Sequence, residues 1–327
     1  MPSLKDRLAS ISDADSFEKM AIDAFRHQSV HTPVYSEWCT QIGVQSNAVH
    51  RLEDIPFLPI SFFKSHSVLQ NKAVVQKRFL SSGTQGPRST HSLTEEALQI
   101  YRVFSREAFE LLYGPLEGRP ILALLPHYLE NGDSSLVEMC RIWMDVSGHE
   151  RNGFFLDDRK QLIRRLMGLK GCQPAPLLIG ASYALLDLAS FGPMDLSHVL
   201  VMETGGMKGK GKERVRAELH RELQSILGVD LIHSEYGMTE MLSQAYATAE
   251  RGFVCPPWMQ LRIRDARNPL DTTNSKKRGC INVIDLANWH SCCFIATDDI
   301  GEKRKEGVAV LGRMDRSDIR GCNLLVV

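Results

Sequence analysis

No apolar run in this 327-residue chain approaches the roughly 18 residues that a bilayer-spanning helix needs, which excludes a helical membrane protein. The first residues, Met1-Pro2-Ser3-Leu4-Lys5-Asp6-Arg7, lack the apolar stretch of a secretory signal, so a cytoplasmic protein is expected. Neither sign of charge prevails. With 39 basic and 39 acidic residues, the chain carries no electrostatic footprint for nucleic acid or an anionic membrane surface. The cysteines, Cys39, Cys140, Cys172, Cys255, Cys280, Cys292, Cys293 and Cys322, form no Cys-x-x-Cys pair, and no His pair follows at finger spacing. That excludes the usual pattern of a structural zinc site and leaves most of these thiols as small buried hydrophobes. Repeats, low-complexity tracts and Pro/Gly/Ser linkers are absent too, so the chain folds as one elaborate domain or two tightly joined ones.

What is present is a change of texture along the chain. Phe17, Met20, Ala21, Ala24 and Phe25 recur at helical spacing and predict helix in the first 50 residues. Three short apolar runs follow, at Ile121–Pro126, Pro176–Gly180 and His198–Met202, with helix-like stretches at Arg159–Leu169 and Lys212–Leu227. Such alternation predicts a covered, largely parallel sheet. After residue 257 strands crowd together, at Trp258–Arg264, Gly279–Leu286 and Val308–Leu311. The expected division is an α/β core with an N-terminal helical segment over 1–255 and a β-rich subdomain over 256–327.

Five segments carry residues suited to phosphate chemistry. After a strand ending at Phe79-Leu80 come Ser81, Ser82, Gly83, Thr84, Gln85, Gly86, Pro87 and Arg88. Hydroxyls donate to phosphate oxygens, glycines let backbone N–H groups turn toward an anion, and Arg88 offers a bidentate partner. An ordinary polar turn has the same composition. Gly206–Lys212 fits G-x-x-x-x-G-K, but Glu213 stands where Ser or Thr must hold a metal, so it reads as a basic turn. In Ser234-Glu235-Tyr236-Gly237-Met238-Thr239-Glu240, Thr239 suits a phosphate, Glu240 a hard cation and Tyr236 a base; a capped helix N-terminus is the bland alternative. Thr297-Asp298-Asp299-Ile300-Gly301 and Gly312-Arg313-Met314-Asp315 bring a ribose-type carboxylate and an arginine, or are simply hairpin ends.

In this order the segments resemble the adenylate-forming superfamily, whose fingerprints are a loop like SSGTTG, then Y-G-x-T-E, T-G-D and G-R-x-D. A closer resemblance is to the acyl-protein synthetases of bacterial luciferase systems, and a more distant one to phenylacetate–CoA ligases. It is carried by Leu124–Glu130 with Ser134–Val137, Glu235–Gln244, Pro256–Met259, Ile281–Asn288 and Arg320–Cys322. The resemblance implies stacked αβαβα sheets and activation of a carboxylic acid, of the fatty-acid class, by ATP and Mg²⁺, giving an acyl-adenylate and pyrophosphate. The acyl group would then pass to a protein cysteine, with a partner reductase as the type of acceptor.

Carried over position by position, Ser81, Ser82, Gly83, Thr84 and Gly86 would hold the β,γ-phosphates. Gly205 and Gly206 would lie against the adenine with Glu235 and Tyr236 close by. Thr239 would touch the α-phosphate, Glu240 the magnesium, Asp299 the ribose and Arg313 its support, while Cys322 is the candidate acyl carrier. Three features depart from the pattern. Gln85 replaces a threonine, Asp298 replaces a glycine, and the chain ends soon after Gly312-Arg313, where relatives continue into a mobile domain bearing a lysine. The expected protein therefore lacks that domain. An aryl- or acyl-CoA ligase and a non-catalytic nucleotide-binding scaffold are the alternatives.

Overall fold

The computed structural model describes residues 2–82, 87–125, 133–156, 158–205, 216–248, 251–268 and 270–314. Its first segment is helical, as the periodicity predicts: α1 (Leu4–Ala9), α2 (Ala14–His31) and α3 (Pro33–Gln41). Asp13 caps α2 by accepting from the Ser16 amide at 2.8 Å. The face of α2 bearing Phe17, Met20, Ala21, Ala24, Phe25 and Gln28 is buried. A short strand β1 (Leu58–Pro59) and helix α4 (Phe62–Ser65) lead to the hairpin β2 (Lys77–Leu80) and β3 (Thr90–Leu93). Then comes α5 (Glu95–Tyr113), started by Thr94, whose hydroxyl accepts from the Ala97 amide, and ended at Gly114 with φ +74°.

The central layer is built from β4 (Ile121–Leu124), α6 (Ser135–Ser147), β5 (Gly153–Phe155), α7 (Arg159–Met167), β6 (Leu177–Ala181), α8 (Ser182–Leu186), β7 (Leu200–Thr204), α9 (Arg216–Leu227), β8 (Ile232–Tyr236) and β9 (Ala245–Thr248). The sheet order is β5-β4-β6-β7-β8-β9, parallel throughout except for β9 at the edge. Every residue of β4 and β6 is buried, which explains their unbroken apolar sequences. Their crossover helices bring the carboxyl ends of all five parallel strands to one rim, the side on which open α/β sheets bind ligands.

Past residue 257 lie β10 (Met259–Arg264), β11 (Arg278–Asp285), β12 (Phe294–Lys303) and β13 (Val308–Arg313). Strand β12 organises this second sheet. One edge pairs with β11, and along the other β1 runs parallel to its first half while β13 runs antiparallel to its second. The sheet thus takes a strand from near residue 58 as well. Residues 297–301, whose bland reading was a hairpin end, lie within β12; Thr and Ile at 297 and 300 are compatible with a strand, and pairing with β11 decides the matter.

One continuous hydrophobic core runs from α1 to β13. Trp143 of α6 is its largest wholly buried side chain, tilted against Phe109 of α5 at 4.8 Å and donating to the Ser105 carbonyl at 3.3 Å. Trp143→Ala is therefore expected to cost about 3–5 kcal/mol in urea denaturation. A loss below about 1 kcal/mol would contradict close packing of α5 on α6.

Candidate functional site

The first candidate loop joins β2 to β3. With Leu80 paired to Thr90, Ser81 and Ser89 form its neck. The Ser81 amide donates to the Ser89 carbonyl at 3.0 Å, and the Ser89 amide donates to Ser81 Oγ at 2.9 Å. Arg88 donates through Nε to the Ser81 carbonyl, and Ser82 is exposed. Gly83, Thr84, Gln85 and Gly86 lie outside the described residues, as do Gly206 and Cys322.

The second element begins where β8 ends. No helix follows Tyr236; the chain turns through residues 237–244 into antiparallel β9, which corrects the capped-helix alternative. The turn's second half hangs on a buried carboxylate that sequence reading did not single out. Asp285, ending β11, accepts from the Leu242 amide at 2.7 Å and the Ser243 amide at 3.0 Å. It also accepts from Ser243 Oγ at 2.6 Å, and Trp258 Nε1 donates to that hydroxyl at 3.0 Å. Aspartate at a strand end has too many ordinary uses for its type alone to reveal this one.

The third element is Asp299. Tyr236 donates its hydroxyl to Asp299 Oδ2 at 2.8 Å, and Arg313, its cross-strand neighbour on β13, donates Nε to Oδ1 at 3.2 Å. The Asp299 amide donates to Thr297 Oγ1 at 3.1 Å. Arg313 leaves 68% of its side chain in solvent, so the pair opens outward. Glu240 sits beside them, only 5% exposed. Burial pushes its carboxyl above the usual range, while a hydrogen bond from Ser89 and the charge of Arg313 oppose that rise. Serine hydroxyl, two carboxylates, phenol and guanidinium, drawn from three sheets, therefore meet at the rim where β8 ends. Thr239 is half-buried in the same turn, and Gly205 directly follows β7 with φ +61°, its carbonyl accepting from Ser182 Oγ at 3.3 Å. An open hollow of about 880 Å³ lined by Asp158, Arg159, Leu186, Asp187 and Phe191 shares no lining residue with this group.

Glu235 is not brought there. Successive strand side chains face opposite sides of a sheet, and next to Tyr236 it points the other way, accepting from Thr204 Oγ1 near Tyr246, Tyr101 and Cys140. Burial pushes its carboxyl up to about 7; the Thr204 bond opposes this and the charge of Glu203 adds to it. Glu203, although just as buried, is held down to about 2 by His220, by Arg216 at 3.4 Å and by Ser182 at 2.8 Å.

These opposite shifts have opposite consequences. For Glu235 the folded state binds the proton more tightly than the unfolded state, so stability falls as pH rises from about 4.5 to about 7. Glu235→Gln should remove that loss, giving a urea midpoint that changes less between pH 5 and 7.5 than in wild type; an unchanged slope would contradict a buried, proton-holding Glu235.

Comparison with known proteins agrees with this architecture. The family model "Acyl-protein synthetase, LuxE" matches residues 8–111. A long-chain-fatty-acid–luciferin-component ligase of Vibrio harveyi is 23% identical over 332 residues, covering 92% of this chain and 84% of that protein. One of Photorhabdus luminescens is 37% identical over 73 residues, covering 22% of this chain and 62% of that protein. Among solved structures, 2-hydroxyisobutyryl-CoA ligase in the postadenylation state superposes with a TM-score of 0.63 at 14% identity, covering 92% of this chain and 68% of that one. The chain spans 44% of the length of the coronafacic acid ligase of Pectobacterium brasiliense (TM-score 0.47, 15% identity, 68% of this chain). The fold is that of the adenylate-forming enzymes, and the chain is similar to the acyl-protein synthetases of bacterial luciferase systems.

Proposed function

We propose that this protein uses ATP to convert a carboxylic acid, a fatty acid by analogy with its relatives, into an acyl-adenylate with release of pyrophosphate. The observation that carries this is the meeting of Ser89, Glu240, Tyr236, Asp299 and Arg313 at the carboxyl end of β8. All but Ser89, which directly follows the Ser81–Arg88 loop, come from the segments whose order marks adenylate-forming enzymes.

In this reading a carboxylate oxygen attacks the α-phosphorus in line and the bond to pyrophosphate breaks. The nucleophile is already ionised at neutral pH, so no general base is required. Two anions must approach each other, and catalysis is chiefly positioning and charge compensation. Arg88, the N–H and hydroxyl groups of the Ser81–Gly86 loop and the Thr239 hydroxyl would face the phosphates. Asp299 would accept from the ribose hydroxyls once Arg313, mostly in solvent, moves aside from its oxygen, and Gly205 with Gly206 would flank the base. Magnesium, when bound, would supply positive charge to the phosphates. Among the described residues no group of three or more His, Cys, Asp or Glu forms a cage. Glu240, a buried carboxylate whose burial is offset only by hydrogen bonds, that from Ser89 foremost, and the nearby charge of Arg313, suits a cation carried in mainly by phosphate and water.

The second half-reaction would be attack of a thiolate on the acyl carbon with AMP leaving, and Cys322 remains our candidate for that thiol. Cys292 and Cys293 are fully buried, and burial pushes both thiols up, so neither suits the role.

Exchange of labelled pyrophosphate into ATP, run with a panel of carboxylic acids, tests the first step. Wild type should exchange with at least one acid, and Glu240→Ala should slow it by about 10²–10³-fold. If wild type and variant are equally silent on every acid, the protein does not adenylate. Labelling with a radioactive fatty acid should vanish in Cys322→Ser, and labelling that persists would rule that cysteine out.

A further inference from the structure

We propose that Asn288 and His91 are positioning residues that fix the backbone of Thr239 and Glu240, and that Gln28 of α2 in turn fixes Asn288. The inference rests on the adenylation reading, which gives those two residues their work. Asn288 donates Nδ2 to the Glu240 carbonyl at 2.7 Å, and His91 Nδ1 lies 3.0 Å from the Thr239 carbonyl. Both side chains are fully buried. A carbonyl only accepts, so the imidazole carries its proton on Nδ1. Burial pushes its pKa down to about 4, which keeps the ring neutral at working pH and its one proton on the carbonyl.

The turn needs such support because its own backbone supplies little. Within residues 237–244 the described backbone bond is that from the Met241 amide to the Met238 carbonyl at 3.1 Å. Asp285 takes the Leu242 and Ser243 amides, while His91 and Asn288 take the two carbonyls before them. Three buried side chains from two other strands and a turn thereby define the path of four residues. The turn carrying Asn288 is itself held from the far end of the sequence. Gln28 donates Nε2 to the Asn288 carbonyl at 3.0 Å and to the Trp289 carbonyl at 2.9 Å, and its Oε1 accepts from the Cys293 amide at 2.9 Å. Just past α2, at its C-cap, Thr32 donates to the Ser291 carbonyl at 3.0 Å. His91 belongs to the same hairpin as Ser89, which bonds the Glu240 carboxyl, so one hairpin sets both the loop neck and the turn facing it. Displacement of a reacting group by about 1 Å costs up to about 10²-fold in rate, and a carbonyl bonded to a buried, rigid donor resists such displacement.

The test combines pyrophosphate exchange with amide hydrogen exchange in full-length variants. Asn288→Ala and His91→Phe each remove a donor, whereas His91→Asn keeps one near the Nδ1 position. We expect the first two to lower the exchange rate about 10–100-fold, with faster amide exchange at residues 238–244 and thermal midpoints near that of wild type. His91→Asn should restore most of the rate. The proposal is overturned if Asn288→Ala and His91→Phe turn over like wild type, or if every variant, His91→Asn included, loses activity only in step with global unfolding. A wild type silent on every acid overturns the adenylation reading and the catalytic role together, whereas wild-type rates in the variants overturn the clamp alone.

Discussion

The geometry at the rim depends above all on the carboxylate of Asp299, held by the Tyr236 hydroxyl at 2.8 Å and the Arg313 guanidinium at 3.2 Å. Tyr236 ends a strand of the parallel sheet, whereas Asp299 and Arg313 belong to neighbouring strands of the other. One carboxylate therefore fixes how the two sheets face each other where a ligand would lie. An unpaired carboxylate this buried would be costly, so the two donors make the arrangement possible. Because Arg313 is largely in solvent, one of Asp299's two bonds can be exchanged for a ligand's without uncovering a buried charge.

The buried carboxylates nearby divide by what surrounds them. Asp285 is consumed by structure, its oxygens taken by the amides and hydroxyl of the 242–243 turn. Glu203, hydrogen-bonded by His220 and facing the Arg216 guanidinium, stays ionised. Glu235 has a threonine and an aromatic surround and holds its proton toward neutrality. Glu240 is buried with weaker compensation, the condition in which a carboxylate gains from a cation. Identical chemical groups thus differ in charge and in structural part because of their neighbours alone.

Much of the frame was legible in the chain. Ile121–Leu124 and Leu177–Ala181 are apolar without alternation because both faces are covered, and that pattern announces a parallel layer. The ordered segments around Tyr236, Asp299 and Arg313 pointed to the residues that meet. The direction of Glu235 was legible too, since strand alternation sends it away from Tyr236, although the resemblance assigned both residues to the same neighbourhood. Other features depend on partners far along the chain. Thr297–Gly301 resembles a turn until its pairing with β11 is known, and nothing local to Gln28 marks it as the support of a turn some 260 residues later. Asp285 and Asn288 escape notice for the same reason, since their role lies in what they hold.

If these groups serve adenylation, the oxygen that attacks phosphorus comes from the acid and must leave with AMP. Mass spectrometry of AMP formed from a carboxylic acid labelled with ¹⁸O in its carboxyl group tests this directly. One heavy oxygen in the AMP phosphoryl group is the predicted result; unlabelled AMP, or ADP with label in inorganic phosphate, would contradict attack at the α-phosphorus.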